Sequence, residues 1–255
     1  MMLILTKKVA RSFYLSIRLL PSTLCEPVAL AYLLARASDT IVDEEDDSIK
    51  ESERELVRLL PSLIEELNDP ERNRFDADAI KVVWQTILEG QRFDLEKFSP
   101  QNQDAALTPD ELNRYLYLVA GCVGEFWTKL AAHHFPGFSK ESLEMMMARG
   151  IDYGKGLQLV NILRDRQEDA SRGRRYCAED QVAQLHVQAL AYLQQGEAYV
   201  KVLRPGRFKV ATALPLLLGK RTLALVKKYP AAEKVKISRW EVYGTLLRAS
   251  RYLFW

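Results

Sequence analysis

Cysteine is scarce in this 255-residue chain: Cys25, Cys122 and Cys177 are far apart, and none belongs to a CxxC pair. That argues against a disulfide framework and points to a reducing compartment. Histidine is equally rare, and none of His133, His134 and His186 has a glutamate three residues before it. The Glu-x-x-His pairs of a di-iron bundle are therefore missing. Nor is there an apolar run of the roughly 20 residues that a bilayer span requires. The longest candidate, from Val210, contains Pro215 and is broken by Lys220 and Arg221. The opening MMLILTKK is too short for a secretory signal and carries its charges on the wrong side. Neither sign of charge dominates, since 36 Lys and Arg against 34 Asp and Glu leave a formal +2; nucleic acid is not the expected partner. A cytoplasmic location is expected, with no C-terminal membrane anchor. The basic segment 201–251 and the ending RYLFW leave open a peripheral contact with a membrane surface, and nothing sets an oligomeric state.

Alternating strand patterns are also missing, whereas apolar residues recur at helical spacing almost everywhere. The fold class is read as all-α, with one domain over residues 1–255, because no low-complexity linker divides the chain. Helices are expected near 4–18, 24–43, 50–67, 77–94, 109–134, 139–170, 180–202, 207–228 and 238–252, with Thr108-Pro109-Asp110 as a strong helix start.

Two acidic segments stand out, DTIVDEEDD from Asp39 and NILRDRQED from Asn161. Tyr32, Arg36, Asp39 and Asp43 fall within about a 60° arc of one helix, and Gln158, Asn161, Asp165 and Asp169 within about 80° of another. Both stripes lie on strongly apolar helices, and a helix apolar all round belongs in a core, so its polar strip is expected to face a cavity. Buried carboxylates cost several kcal/mol unless paired or metal-bound. Two facing pairs suit magnesium (Mg2+), which takes one or two carboxylates and completes its shell with water and phosphate oxygens. As a Lewis acid it would stabilise a departing diphosphate, while apolar and aromatic walls shelter an allylic cation. Arg11, Arg36, Arg164 and Arg174 are candidate phosphate contacts.

Five ordered blocks complete the pattern: ARSFYLSIRLLP from Ala10, AYLLARASDTIVDE from Ala31, YLYLVAGCVGEFW from Tyr115, GKGLQLVNILRDRQEDASRGRRY from Gly154 and LPLLLGKRTLAL from Leu214. Together they resemble the head-to-head prenyl synthases, the squalene and phytoene synthase family. The resemblance implies an isoprenoid-synthase helical bundle around a central cavity that takes two prenyl diphosphates. It implies that Asp39, Asp43, Asp165 and Asp169 hold magnesium. Arg11, Tyr32, Arg36, Gln158, Asn161, Arg164 and Arg174 would contact substrate, and Tyr115 would be a catalytic aromatic, or a base in cyclopropane closure. The form DTIVD and the block VAGCVGEFW look more like squalene synthase, which implies farnesyl diphosphate as substrate, presqualene diphosphate as intermediate and NADPH as reductant. The stretch KVKIS from Lys234 resembles a segment that helps hold that cofactor, making Lys236 and Arg239 its candidates. GKGLQL at Gly154 lacks the third glycine and the preceding strand of a dinucleotide fingerprint, so it reads as helix packing. The chain departs from the family at Ala10, at Cys177-Ala178 and in a short stretch from there to Gln188. A phytoene or dehydrosqualene synthase without the reductive step is the nearest alternative, and a non-catalytic helical paralogue acting in assembly is the second.

Overall fold

The computed structural model describes residues 2–10, 13–42, 50–99, 106–229 and 235–253. Its helices are α1 (Met2–Val9), α2 (Phe13–Leu19), α3 (Ser22–Val42), α4 (Glu51–Arg58), α5 (Leu60–Leu67), α6 (Arg74–Lys97), α7 (Pro109–Leu116), α8 (Cys122–His134), α9 (Leu143–Ser171), α10 (Val182–Val202), α11 (Arg207–Lys228) and α12 (Arg239–Ala249). Among the described residues the one β feature is an isolated bridge between Ser139 and Leu203. The chain is all-α, as the apolar spacing predicts.

Local chemistry sets the boundaries. Thr108 caps α7: its hydroxyl accepts the Glu111 N–H at 3.3 Å, and the Glu111 carboxylate accepts the Thr108 N–H at 2.9 Å. Asn73 and Ser142 cap α6 and α9 by accepting from Asp76 and Met145. The expected helix 50–67 is two, broken at Leu59, because Pro61 at the second position of α5 has no N–H for a continuing ladder. The expected helix 4–18 likewise divides into α1 and α2. The expected helix 109–134 keeps one direction but contains a π-helical turn over Tyr117–Gly121, a local widening that often accompanies a binding site.

α9 is the axis of the bundle, packed by α8, α10 and α11, and α3 lies against α6 across from it. Glycine lets the helices close. A Cβ on Gly124 would fall 1.9 Å from the Gly150 carbonyl oxygen, and one on Gly154 would fall 2.2 Å from that of Ala120. At these crossings α8 and α9 meet backbone to backbone, and Gly154 is a packing residue. Two apolar clusters flank this seam. One is built on Leu30, Leu33, Leu34, Ile80 and Leu130, the other on Leu116, Leu159, Leu193 and Leu216.

Candidate active site

The space between α3, α6, α7–α8 and α9 is a cavity of about 620 Å³. Each helix lines it with a stripe at helical spacing: Val28, Tyr32, Arg36 and Asp39 from α3; Val83, Ile87, Gln91 and Asp94 from α6; Tyr115, Val119, Val123 and Phe126 along α7–α8; and Gly150, Gly154, Gln158 and Asn161 from α9. One end is polar and the other apolar. The apolar end is braced by hydrogen bonds behind its wall. Trp127 donates to the Thr212 hydroxyl at 2.9 Å, and Tyr153 donates to the Thr212 carbonyl at 2.9 Å.

At the polar end, Arg36 is shared. Its guanidinium pairs with Asp39 and donates to Glu53 of α4 at 2.6 Å. Burial is the largest influence and opposes the charge on both Arg36 and Glu53, but their mutual hydrogen bond, together with the charges of Asp39 and Arg36 and the Lys50 N–H, outweighs it. The Arg36 pKa is therefore raised and that of Glu53 lowered. On α9, Asp165 and Asp169 continue the Gln158–Asn161 stripe one and two turns beyond the section that lines the cavity. Arg164 grips its own neighbour Asp165 with two nitrogens, one at 2.8 Å. Asp169 is pushed up to about 7, first by burial and then by the charge of Asp165.

After α9 the chain turns back sharply. Gly173 adopts φ 78°, a left-handed conformation that suits glycine, and the Arg174 N–H then donates to the Asp169 carbonyl at 2.9 Å. The turn carries the Arg174 side chain to the cavity, where its Nε lies 3.4 Å from Asp94. Tyr176 follows, buried, and links two groups: it accepts from Tyr115 at 3.3 Å and donates to Asp94 at 2.8 Å. Burial holds both phenols protonated well above the ordinary tyrosine range, with Asp94 and, for Tyr176, the Tyr115 ring adding to the shift. Tyr115 therefore rests as a phenol. Acting as a base requires it to pass its own proton along the Tyr176–Asp94 chain as it accepts another.

Of the residues anticipated from sequence, Tyr32, Arg36, Asp39, Tyr115, Gln158, Asn161 and Arg174 line one cavity. Asp165, Asp169 and Arg164 lie on the continuation of its α9 wall, with Arg164 turned to Asp165. Arg11, Asp43 and the Arg239 side chain lie outside the described residues, as does Lys234. Lys236 is exposed and is not part of the cavity lining.

Asp94, Tyr176, Glu53 and Gln91 were not anticipated. Asp94 ends a cavity stripe that starts at Val83, and an acid closing an apolar 3–4 repeat was its available signal. Gln91 lines the same stripe with a buried Oε1 that has no hydrogen-bond partner. Among the described residues no three acidic, cysteine or histidine side chains converge on one point. The donor set still fits magnesium: carboxylates come singly or in pairs, and the burial and acidic neighbours that raise Asp169 are what a divalent cation would offset.

Comparison with known proteins agrees with this architecture. Residues 6–188 match the family model described as squalene/phytoene synthase. A bifunctional lycopene cyclase/phytoene synthase of Phycomyces blakesleeanus is 26% identical over 219 residues, 75% of this chain. This chain spans only 35% of the length of that protein. Phytoene synthase 2 of Solanum lycopersicum is 28% identical over 252 residues, which cover 93% of this chain and 74% of the relative. Among solved structures, a TcSQS complex with the ligand BPH1237 superposes with a TM-score of 0.75 at 21% identity, covering 98% of this chain and 85% of that one. This structural likeness shows a shared fold.

Proposed function

Since the chain belongs to the squalene/phytoene synthase family, whose members are prenyltransferases, we propose that residues 1–255 act as one domain that condenses two prenyl diphosphates head to head. The observation that carries the reading is the polarity of the cavity. Acids, Arg36 and Arg174 gather at one end, and an aromatic and aliphatic pocket occupies the rest.

Asp39, Asp165 and Asp169, with Asp43, would hold Mg2+, which when bound neutralises the charge of the leaving diphosphate. The protein's own residues then have distinct tasks. Arg36 and Arg174 offer planar donors to phosphate oxygens. Gln158 and Asn161, bonded to each other at 3.4 Å, offer amides where the charged and apolar zones meet. The faces of Tyr32, Phe13 and Trp127 shelter a carbocation from water. Tyr115 is placed to take the proton lost in cyclopropane closure, with Tyr176 and Asp94 as its relay.

For the product, the squalene-like blocks favour two farnesyl diphosphates joined through presqualene diphosphate and reduced with NADPH, held by Lys236 and Arg239. A second reading omits reduction and gives a phytoene- or dehydrosqualene-type product. It is favoured by the phytoene synthases among the relatives and by the place of Lys236 outside the cavity lining. Incubation with farnesyl or geranylgeranyl diphosphate and Mg2+, with and without NADPH, separates the readings. Squalene formed only with NADPH supports the first, an unreduced hydrocarbon in both cases supports the second, and no consumption of either diphosphate removes both.

No described helix is long and apolar enough to cross a membrane. Peripheral contact is supported instead by α12, whose outward Trp240, Tyr243 and Leu247 oppose the packed Thr245 and Ala249 and are flanked by Lys236, Arg248 and Arg251. Co-sedimentation with anionic vesicles, lost in Trp240→Ser, tests this contact.

A further inference from the structure

A second hollow, of about 310 Å³, lies on the far side of the cavity's apolar end, between α6 and α8. Val83 and Phe126 line both spaces, each only 4% exposed. They form a partition two side chains wide. On one side is the main cavity; on the other is a hollow lined by Ala79, Tyr117 and Cys122 and by the charged Asp78, Glu125 and Lys129.

The partition stands at a measurable depth. Asp94 to Val83 on α6 is eleven residues, and so is Tyr115 to Phe126 along α7–α8. The stripes on α3, Asp39 to Val28, and on α9, Asn161 to Gly150, have the same length. Eleven residues at 1.5 Å each place the apolar end about 16 Å below the charged end. An extended carbon chain advances about 1.2 Å per bond, the value implied by the reach of an extended backbone. The twelve-carbon main chain of a farnesyl group then spans about 13 Å and the sixteen-carbon chain of a geranylgeranyl group about 18 Å. The first ends short of the partition, and the second runs into it.

We propose that Val83 and Phe126 are the chain-length stop of this cavity, and that the hollow behind them is where a longer prenyl tail would go if the partition were opened. The inference rests on the prenyl diphosphate reading for its substrate, but not for its geometry. Val83→Ala, or Phe126→Leu where a gentler opening is needed to keep the fold, joins the two spaces. Ala79→Phe fills the hollow from the other side without touching the main cavity.

Two measurements test the stop. The first is turnover of farnesyl against geranylgeranyl diphosphate with Mg2+. Val83→Ala should raise the kcat/KM ratio in favour of geranylgeranyl by about tenfold or more, within the range that methylene-sized changes in apolar pockets produce. Adding Ala79→Phe should return the ratio to that of the parent, and Ala79→Phe alone should leave farnesyl turnover unchanged. The second uses binding of n-alkyl phosphates of ten to eighteen carbons and needs no catalysis. In the parent, affinity should climb about fourfold per methylene and stop at about fourteen carbons, the length that reaches the partition, whereas in Val83→Ala it should climb on to about eighteen. A break at the same length in both proteins, a shift that Ala79→Phe fails to reverse, or no alkyl phosphate binding to the parent would overturn the proposal. A break that moves as stated in a protein that turns over neither diphosphate would leave the stop standing and remove the prenyl transferase reading. Circular dichroism melts of each variant confirm that the fold is retained.

Discussion

The two acidic stripes, alike in spacing, differ in their charge surroundings. Asp39 on α3 shares Arg36 with Glu53, so two carboxylates and one guanidinium form a compensated group. On α9, Arg164 is committed to Asp165, and Asp169 sits near Asp165, Glu168 and Asp94 with Arg174 as its counterweight. Among the described residues, Asp39 and Glu53 each contact a guanidinium, while Asp169 is crowded by neighbouring acids. If both stripes hold the proposed cation, the α9 acids are the ones expected to gain more from it.

The most severe way to break this comparison is to remove a carboxylate from each side. Asp165→Asn and Asp39→Asn should each lower kcat/KM by about 10³-fold, or about 4 kcal/mol of transition-state stabilisation. Only Asp165→Asn should also weaken Mg2+ binding in the absence of substrate, as read by calorimetry. Equal weakening by both would erase the distinction.

Removing the compensating cation comes next. Arg36→Gln leaves Asp39 and Glu53 without their shared partner, so activity should fall by about 10²-fold and the melting temperature should drop with it. In contrast, Arg164→Gln should cost less stability in Mg2+ than in EDTA, because the bound ion takes over part of its role.

The pH dependence of the metal-free protein sharpens the same point on a smaller scale. Asp169 titrates at about 7 in the fold but near 4 in an unfolded chain. At low pH both forms carry the proton. As pH rises from about 4 the unfolded chain releases it first, so stability falls until the folded pKa near 7 is passed. In EDTA the melting temperature should therefore decline between pH 5 and 8 by about 5–10 °C, and Asp169→Asn should flatten that slope. Added Mg2+ should restore stability at pH 8 and do little at pH 5. A slope that survives Asp169→Asn would assign it to other groups. The smallest effect is expected from Glu53→Gln, which leaves Arg36 with Asp39 and should raise KM by about threefold with kcat nearly unchanged.

Much of this geometry is legible in the chain. The polar strips on α3 and α9 follow from 100° per residue and from the apolar residues around them, and Tyr32, Arg36, Asp39, Gln158 and Asn161 do share a cavity. Local periodicity could not reveal groups that matter through partners on other helices. Glu53 is one acid among many on an exposed-looking helix until Arg36 arrives from α3. Tyr176 matters because a glycine turn folds it back between Tyr115 and Asp94, 61 and 82 residues away in sequence. The division of residues 109–134 by a π-helical turn was equally silent, since one extra residue in a turn barely disturbs an apolar repeat.

The backbone-to-backbone seam of α8 and α9 has an evolutionary corollary. Where Gly124 meets Gly150 and Ala120 meets Gly154, the cavity wall is main chain, and even a methyl group at these glycines would collide with a carbonyl. Substitution at these glycines cannot reshape the pocket without prising the two helices apart. Variation in what this pocket accepts is therefore channelled to positions that carry side chains, such as Val83, Ile87, Val28 and Phe126, where bulk can be traded without moving a helix. The glycine crossings are the fixed datum against which the side-chain walls can drift, so relatives with different substrates should differ at those wall positions long before they differ at the crossings.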